Sequence, residues 1–339
     1  MKLIGTLAAL ALLLTNCSDV CQAAPPAGAA EQSAPATNYK GQQANQQRQQ
    51  PSLPEGTTIV RDVNYAGGTD PFQTLDLFVP SEALSQPVPV VVWIHGGGWI
   101  SGDKNGRLSL ALVPRGFAVA NIEYRFSQEA IWPAQIYDCK AAIRWLRAHA
   151  DQYHLDAKHI GVWGASAGGH LVLLLGNTRG TKALEGNEGN LHYSSDVQLV
   201  CDWFGPTDFL KITEQIPKAD PRHESPIDAL GLVAKLLGGP IATHQKQAKQ
   251  ASPITYLSKR CAPTLIVHGD ADNIVPLEQS REYYDAAKAV GADVTLHTVP
   301  KGGHGNPNFT PDIYEESLAF FDRLKSHSNS QNNEIDPER

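Results

Sequence analysis

HIGVWGASAGGHLVLLL, His159 to Leu175, runs from a short apolar stretch through Gly164-Ala165-Ser166-Ala167-Gly168 into a longer apolar one. His159 to Trp163 reads as a short buried strand. Ala167 to Leu175 reads as a helix apolar on most sides, as expected for one packed against the centre of a sheet. A strand that turns so abruptly into a helix holds its serine in a strained conformation, and side chains two residues to either side would collide, so glycines stand there. Ser166 is therefore the candidate nucleophile. At about 7% glycine such a pattern arises by chance in roughly one chain in ten of this size, so the assignment rests on what surrounds it.

Around this turn, strand-like and helix-like segments alternate. Phe72 to Val79, Phe117 to Tyr124, Val197 to Phe204, Ala262 to His268 and Val294 to Val299 read as strands, and Pro87 to Ile94 is a continuous apolar run suited to a central one. Ala134 to Asp151 carries Ile136, Ile143, Trp145, Leu146 and His149 at helical spacing, and Leu277 to Val290 and Ile313 to Leu324 are further helices. The alternation predicts an α/β fold with a mainly parallel central sheet covered by helices on both faces, whose ligands bind beyond the carboxyl ends of the strands. One long connection interrupts it. Residues 205–256 hold polar and Pro-rich stretches plus an amphipathic segment, Ile227 to Leu237, and read as a cap or wall over a cleft.

Three more motifs fall at strand ends. His95-Gly96-Gly97-Gly98-Trp99 follows the central strand, and its glycines let backbone amides approach a ligand; with the amide of Ala167, those of Gly97 and Gly98 would hold the negative oxygen of a tetrahedral intermediate. His95 itself reads as a brace for that loop. HGDADNIVP, from His268, offers two acids. Asp270, nearer the strand end, suits bracing the turn through backbone amides, which leaves Asp272 as the acid partner. Lys301-Gly302-Gly303-His304-Gly305 follows the last core strand, and His304 is the candidate base, able to take the serine proton and return it to a leaving group. The chain order Ser, Asp, His is the one used by α/β-hydrolases. Trp99, Trp132, Trp203, Phe204 and Phe209 lie near strand ends and are candidates for the walls of an aromatic or sugar-binding cleft, or for ordinary packing.

From about Asp62 to Leu324 the chain resembles the α/β-hydrolase carboxylesterases with an HGGG oxyanion loop, related to hormone-sensitive lipase. It is most similar to the bacterial feruloyl and acetyl-xylan esterase-type (BD-FAE-like) members. The resemblance runs through LDLFVP at Leu75, VVVWIHGGGWISGDK at Val90, EYR at Glu123, WPAQ at Trp132, GASAGGHL at Gly164, FGPTDF at Phe204, ASPITY at Ala251 and HGDADNIVP. It implies an α/β-hydrolase fold and a serine carboxylesterase acting through an acyl-Ser166 intermediate without metal or organic cofactor. Gly97, Gly98, Ser166, Ala167, Asp272 and His304 are the residues carried over. Acetyl or feruloyl esters on polysaccharides are the expected substrates. The late HGDAD turn is also similar to that of prolyl-oligopeptidase-related peptidases, so a serine amidase is one alternative, and a catalytically inactive ligand-binding module is another.

The bulk numbers suit one large domain. The chain has 339 residues, 42% hydrophobic and 19% charged, and a net charge of -7 that argues against nucleic acid as a partner. Lys2 and the apolar stretch Leu3 to Leu14, too short to span a bilayer, read as an export signal ending near Ala23. Leu14-Thr15-Asn16-Cys17 also resembles a lipobox, so Cys17 could carry a lipid anchor; both readings place the protein outside the cytoplasm. Residues 24–54, rich in Ala, Pro, Gln and Asn, read as a disordered tether, 55–326 as the hydrolase domain and 327–339 as a tail. Cys139, Cys201 and Cys261 lie in the globular part. Cys201 and Cys261 could pair in an oxidising compartment, or all three could be buried thiols; no Cys/His spacing suggests zinc.

Overall fold

Residues 53–216, 226–305 and 309–325 are described by the computed structural model. The expected leader, Cys17 and the C-terminal tail lie outside these residues, as does the tether up to residue 52.

Among the described residues eight strands, β1 (Thr58–Asn64), β2 (Thr74–Val79), β3 (Val88–Ile94), β4 (Ala118–Ile122), β5 (Leu155–Ala165), β6 (Leu199–Trp203), β7 (Thr264–Gly269) and β8 (Val294–Val299), form one sheet in the order β1-β2-β4-β3-β5-β6-β7-β8. β1 pairs with β2 and β2 with β4 antiparallel, and the rest of the sheet is parallel. The longer helices are α1 (Ala134–Ala148), α2 (Ala167–Asn177), α3 (Pro226–Leu237), α4 (Gln245–Ala251), α5 (Leu277–Ala289) and α6 (Pro311–Phe320).

β3 shows why the sheet has two covered faces. Successive side chains of a strand point to opposite sides. Val90, Val92 and Ile94 pack with Ile136 and Ile143 of α1 and Leu171 of α2. Val91 and Trp93 join Leu110, Val113, Ile313 and Phe321 in a second core under α6. Apolar residues at every position thus make β3 a strand buried on both faces, each branched side chain contributing about 1.5–3 kcal/mol by its burial. The parallel strands all end on one edge, and the loops after β3, β5, β7 and β8 carry His95, Ser166, Asp272 and His304 to it.

Among the elements that depart from expectation, β1 and α1 show the physical reasons. β1 has no counterpart in the sequence reading, because it is an edge strand with exposed residues and a bulge between Val60 and Val63. It is held partly by polar contacts: the Asp62 amide donates to Asp76 Oδ1 at 3.0 Å, and Arg61 pairs with the same carboxylate. α1 stops at Ala148, and a separate turn, Ala150–Tyr153, ends at His154 with φ of 52°. The disulfide alternative is corrected: Cys139, Cys201 and Cys261 are all free thiols, and buried.

The insertion packs down on the sheet edge. Val233, Leu236 and Leu237 of α3 are buried, and the Trp132 amide donates to Leu236 O at 2.7 Å. His170 of α2 reaches the Ala251 carbonyl at the end of α4, with Nε2 at 2.7 Å. α3 ends at Gly238, whose φ of 82° is the left-handed conformation that glycine supplies at helix C-termini.

Candidate active site

Ser166 sits between β5 and α2 with φ 56° and ψ -119°, a conformation that a residue with a side chain rarely adopts. Its amide donates to Trp203 O at 2.8 Å, which locks the strained turn to the neighbouring strand. The flanking glycines are required by space. A side chain at Gly164 would overlap the Gly168 backbone, and one at Gly168 would overlap Ile94 O.

His304 Nε2 lies 2.9 Å from Ser166 Oγ, and His304 Nδ1 lies 2.8 Å from Asp272 Oδ2. A carboxylate accepts, so Nδ1–H donates to it, and Nε2 is left to accept the serine hydroxyl. Asp272 is nearly buried, and its Oδ1 accepts the amides of Ile274 at 2.8 Å and Val275 at 2.9 Å. Burial alone would raise its carboxyl, but hydrogen bonds from His268 and His304 outweigh that and hold it well below the usual carboxylate range. The acid therefore stays charged beside His304. Asp270 does other work: its Oδ1 accepts the Lys301 amide at 2.6 Å, while the Ala271 amide donates to Gly302 O at 2.7 Å. Together these contacts tie the acid turn to the His304 loop.

After β3 the chain folds into a tight turn in which Gly97 O accepts the amides of Ile100 and Ser101, both at 3.1 Å. Gly97 and Gly98 have φ of 106° and 60°, and a side chain at Gly97 would overlap Ser101 O. Among the described residues the amides of Gly97, Gly98 and Ala167 donate to no other group, leaving them available to an anionic oxygen. The turn is braced from below by His95, which stacks on Tyr124 at 4.5 Å and faces Gly96 O at 2.7 Å and Glu123 Oε2 at 3.2 Å. Among the described residues no group of three or more His, Cys, Asp and Glu side chains is arranged to hold a metal ion.

The aromatic candidates divide. Trp99 lines a cavity next to Ser166, and Phe204, with φ of 47°, packs on the His304 ring at 4.6 Å. Trp203 is not a cleft wall. Strand alternation turns it away from the Asp202 face, and its indole N–H donates to Ser317 Oγ at 3.0 Å in the core under α6. Trp132 is packed behind His170, with ring centroids 6.0 Å apart, and Phe209 is fully buried against Trp99 and His170. Three supporting residues escaped the sequence reading. His268 Nε2 lies 3.3 Å from Asp272 Oδ2, Asp202 accepts the Gly205 amide at 2.9 Å, and His170 joins α2 to the insertion. His268 and His170 stood inside quoted motifs: the first lies only four residues from its partner Asp272, but nothing in the motif marks that contact, and the second meets the Ala251 carbonyl from a distant segment.

The family model BD-FAE matches residues 75–286. Esterase LipC of Mycobacterium tuberculosis (strain ATCC 25618 / H37Rv) is 31% identical over 244 residues, 70% of this chain and 58% of the relative. The probable carboxylic ester hydrolase LipM of the same strain is 30% identical over 221 residues, 64% of this chain and 49% of the relative. The chain thus spans about half the length of these curated relatives. Among solved structures, a truncated carbohydrate esterase from gut microbiota superposes with a TM-score of 0.73 at 34% identity, covering 81% of this chain and 99% of that one. Esterase B from Lactobacillus rhamnosis gives a TM-score of 0.68 at 25% identity over 84% and 91% of the two chains.

Proposed function

The chain belongs to the BD-FAE family and has an α/β-hydrolase fold, and from that membership we propose that it is an exported serine carboxylesterase that removes short acyl or feruloyl groups from polysaccharide-borne esters. The observation that carries the reading is the unbroken line from Ser166 Oγ to His304 Nε2 at 2.9 Å and from His304 Nδ1 to Asp272 Oδ2 at 2.8 Å, next to uncommitted amides.

Ser166 Oγ attacks the ester carbon as its proton passes to His304 Nε2. The carbonyl oxygen becomes an oxyanion held by the amides of Gly97, Gly98 and Ala167; losing one such donor ordinarily costs about 3 kcal/mol of transition-state stabilisation. Asp272 stabilises the imidazolium. The bond to the alcohol oxygen then breaks, and His304 returns the proton to the departing alcohol, leaving acyl-Ser166. A water attacks this second ester, gives its proton to His304, and the collapse releases the carboxylic acid and restores the serine hydroxyl. The likeness to the gut carbohydrate esterase supports a sugar-borne ester as substrate, and the apolar stretch Leu3 to Leu14 supports export.

The test is a panel of p-nitrophenyl esters alongside acylated oligosaccharides and matched p-nitroanilides. Acetate or butyrate is expected to be hydrolysed at least about tenfold faster in kcat/KM than dodecanoate, a difference of about 1.4 kcal/mol. Equal turnover of the long chain would replace the esterase reading with a lipase. Anilides cleaved as fast as esters would replace it with an amidase.

A further inference from the structure

A small cavity opens beside Ser166, its wall including Gly98 and Trp99 of the oxyanion loop, Leu232 and Val233 of α3, and Ile274 and Val275 of the acid turn. Its lining is almost wholly apolar. The departing alcohol must take its proton from His304 Nε2, so it leaves on the His304 side. Among the described residues, His304 is not part of the cavity wall, whereas the serine and two of the oxyanion amides are. The cavity therefore faces the other substituent of the carbonyl carbon, the acyl group.

We infer, on the basis of the esterase reading, that Leu232 sets the ceiling on acyl length by closing this cavity. The free space is about 30 Å³, on a scale where one water-sized group takes about 10–15 Å³. That is room for one or two carbons beyond the carbonyl. Acetyl and propionyl groups fit, so of the two acyl classes proposed above the cavity favours the short one over the feruloyl. The limit comes from one side chain pressed against the oxyanion loop. A methyl group placed at Gly98 would lie 2.6 Å from Leu232 Cδ1 and 3.1 Å from Cδ2, so the leucine fills the ground directly over the Gly98 backbone. Its position is firm, because Val233, Leu236 and Leu237 of the same helix are buried in the core and Leu236 O holds the Trp132 amide. Glycine at 98 and leucine at 232 thus form a matched pair. The first leaves the space and the second takes it.

Replacing Leu232 by alanine removes three carbons from the end of the cavity, and replacing it by phenylalanine adds a ring. The experiment measures kcat/KM of the wild-type chain, Leu232→Ala and Leu232→Phe on p-nitrophenyl acetate, butyrate and hexanoate, with Ser166→Ala as the background. Leu232→Ala is expected to raise the hexanoate-to-acetate ratio at least about tenfold, the discrimination that a methylene misfit ordinarily carries, and Leu232→Phe to lower the butyrate-to-acetate ratio. Loosening of the helix would lower all rates or move both ratios the same way, so opposite movements identify a size limit. A Leu232→Ala ratio within about threefold of the wild type, or ratios moving in one direction, overturns the inference. If the wild-type chain shows no Ser166-dependent acetate hydrolysis, the esterase reading fails and the inference falls with it.

Discussion

Asp270 and Asp272 stand two residues apart and have different partners. Asp272 accepts from His304 and stays charged, whereas Asp270 accepts the Lys301 amide. Asn at 272 cannot fix the imidazole in the proton-accepting tautomer, a loss of about 10⁴ in kcat in comparable triads. Asn at 270 retains an acceptor oxygen for Lys301. Steady-state kinetics of the two folded variants should therefore show a far larger fall for Asp272→Asn, and the reverse order would reassign the acid. Asp202 makes a different prediction. It is fully buried, and burial pushes its carboxyl up to about 7, against the opposing pull of the Gly205 amide and His268. The folded state holds a proton that the unfolded chain, with an ordinary carboxyl near 3.9, releases earlier. Through this group stability is full at low pH and falls as pH rises from about 4 to about 7. His170, held down to about 4 by burial, works in the opposite direction, losing stability as pH falls from about 6.5. The test is accordingly a difference: urea unfolding of Asp202→Asn against wild type, expected to favour the variant increasingly from about pH 4 to 7 and then level off. A difference independent of pH would mean that Asp202 is already ionised when buried.

The turn into α2 and the helix α3 make opposite demands on glycine. A methyl group at Gly168 would overlap Ile94 O and press on His95 O, both backbone atoms of the central strand and its turn. Among the described residues, none comes within 4 Å of where a methyl at Gly231 in α3 would stand. Gly168→Ala should destabilise by about 1–3 kcal/mol or more, while Gly231→Ala should stabilise by about 0.5–1 kcal/mol through lost unfolded-state entropy. Both are read from denaturant midpoints, and equal signs would contradict the account of the turn. The same contrast explains what the sequence revealed of the elements. Strands buried on both faces, such as β3, are written as apolar runs, and the serine turn is written in glycines because backbone contacts leave no alternative. β1 is an edge strand paired along one side only, with added support from Asp76 of β2, and its own residues carry little periodicity. The amphipathic segment from Ile227 was legible as a helix, but not that Leu232 would come to lie over Gly98, since that needs the fold.

Across the whole molecule, the parallel sheet brings residues as distant as 95, 166, 272 and 304 to one edge. Chain order and glycine-rich loops made Ser166, Asp272 and His304 legible in advance, because each lies in its own short motif at a strand end. His268, Asp202 and His170 were not: the contacts of His268 with Asp272 and of Asp202 with the Gly205 amide are local but carry no glycine or spacing signal, and His170 is defined by Ala251 of the insertion. The cleft aromatics were legible only in part: Trp99 reaches the cavity, but strand alternation sends Trp203 into the opposite core. What this edge is expected to generate is a serine nucleophile. It is tested most directly by treating the wild-type chain and Ser166→Ala with a fluorophosphonate, mapping the adduct by mass spectrometry and assaying p-nitrophenyl acetate hydrolysis on the same samples. A single adduct on Ser166 is expected in the wild type, with loss of both adduct and hydrolysis in a folded Ser166→Ala and the rate down by several orders of magnitude. An adduct elsewhere, or an active Ser166→Ala, would contradict it.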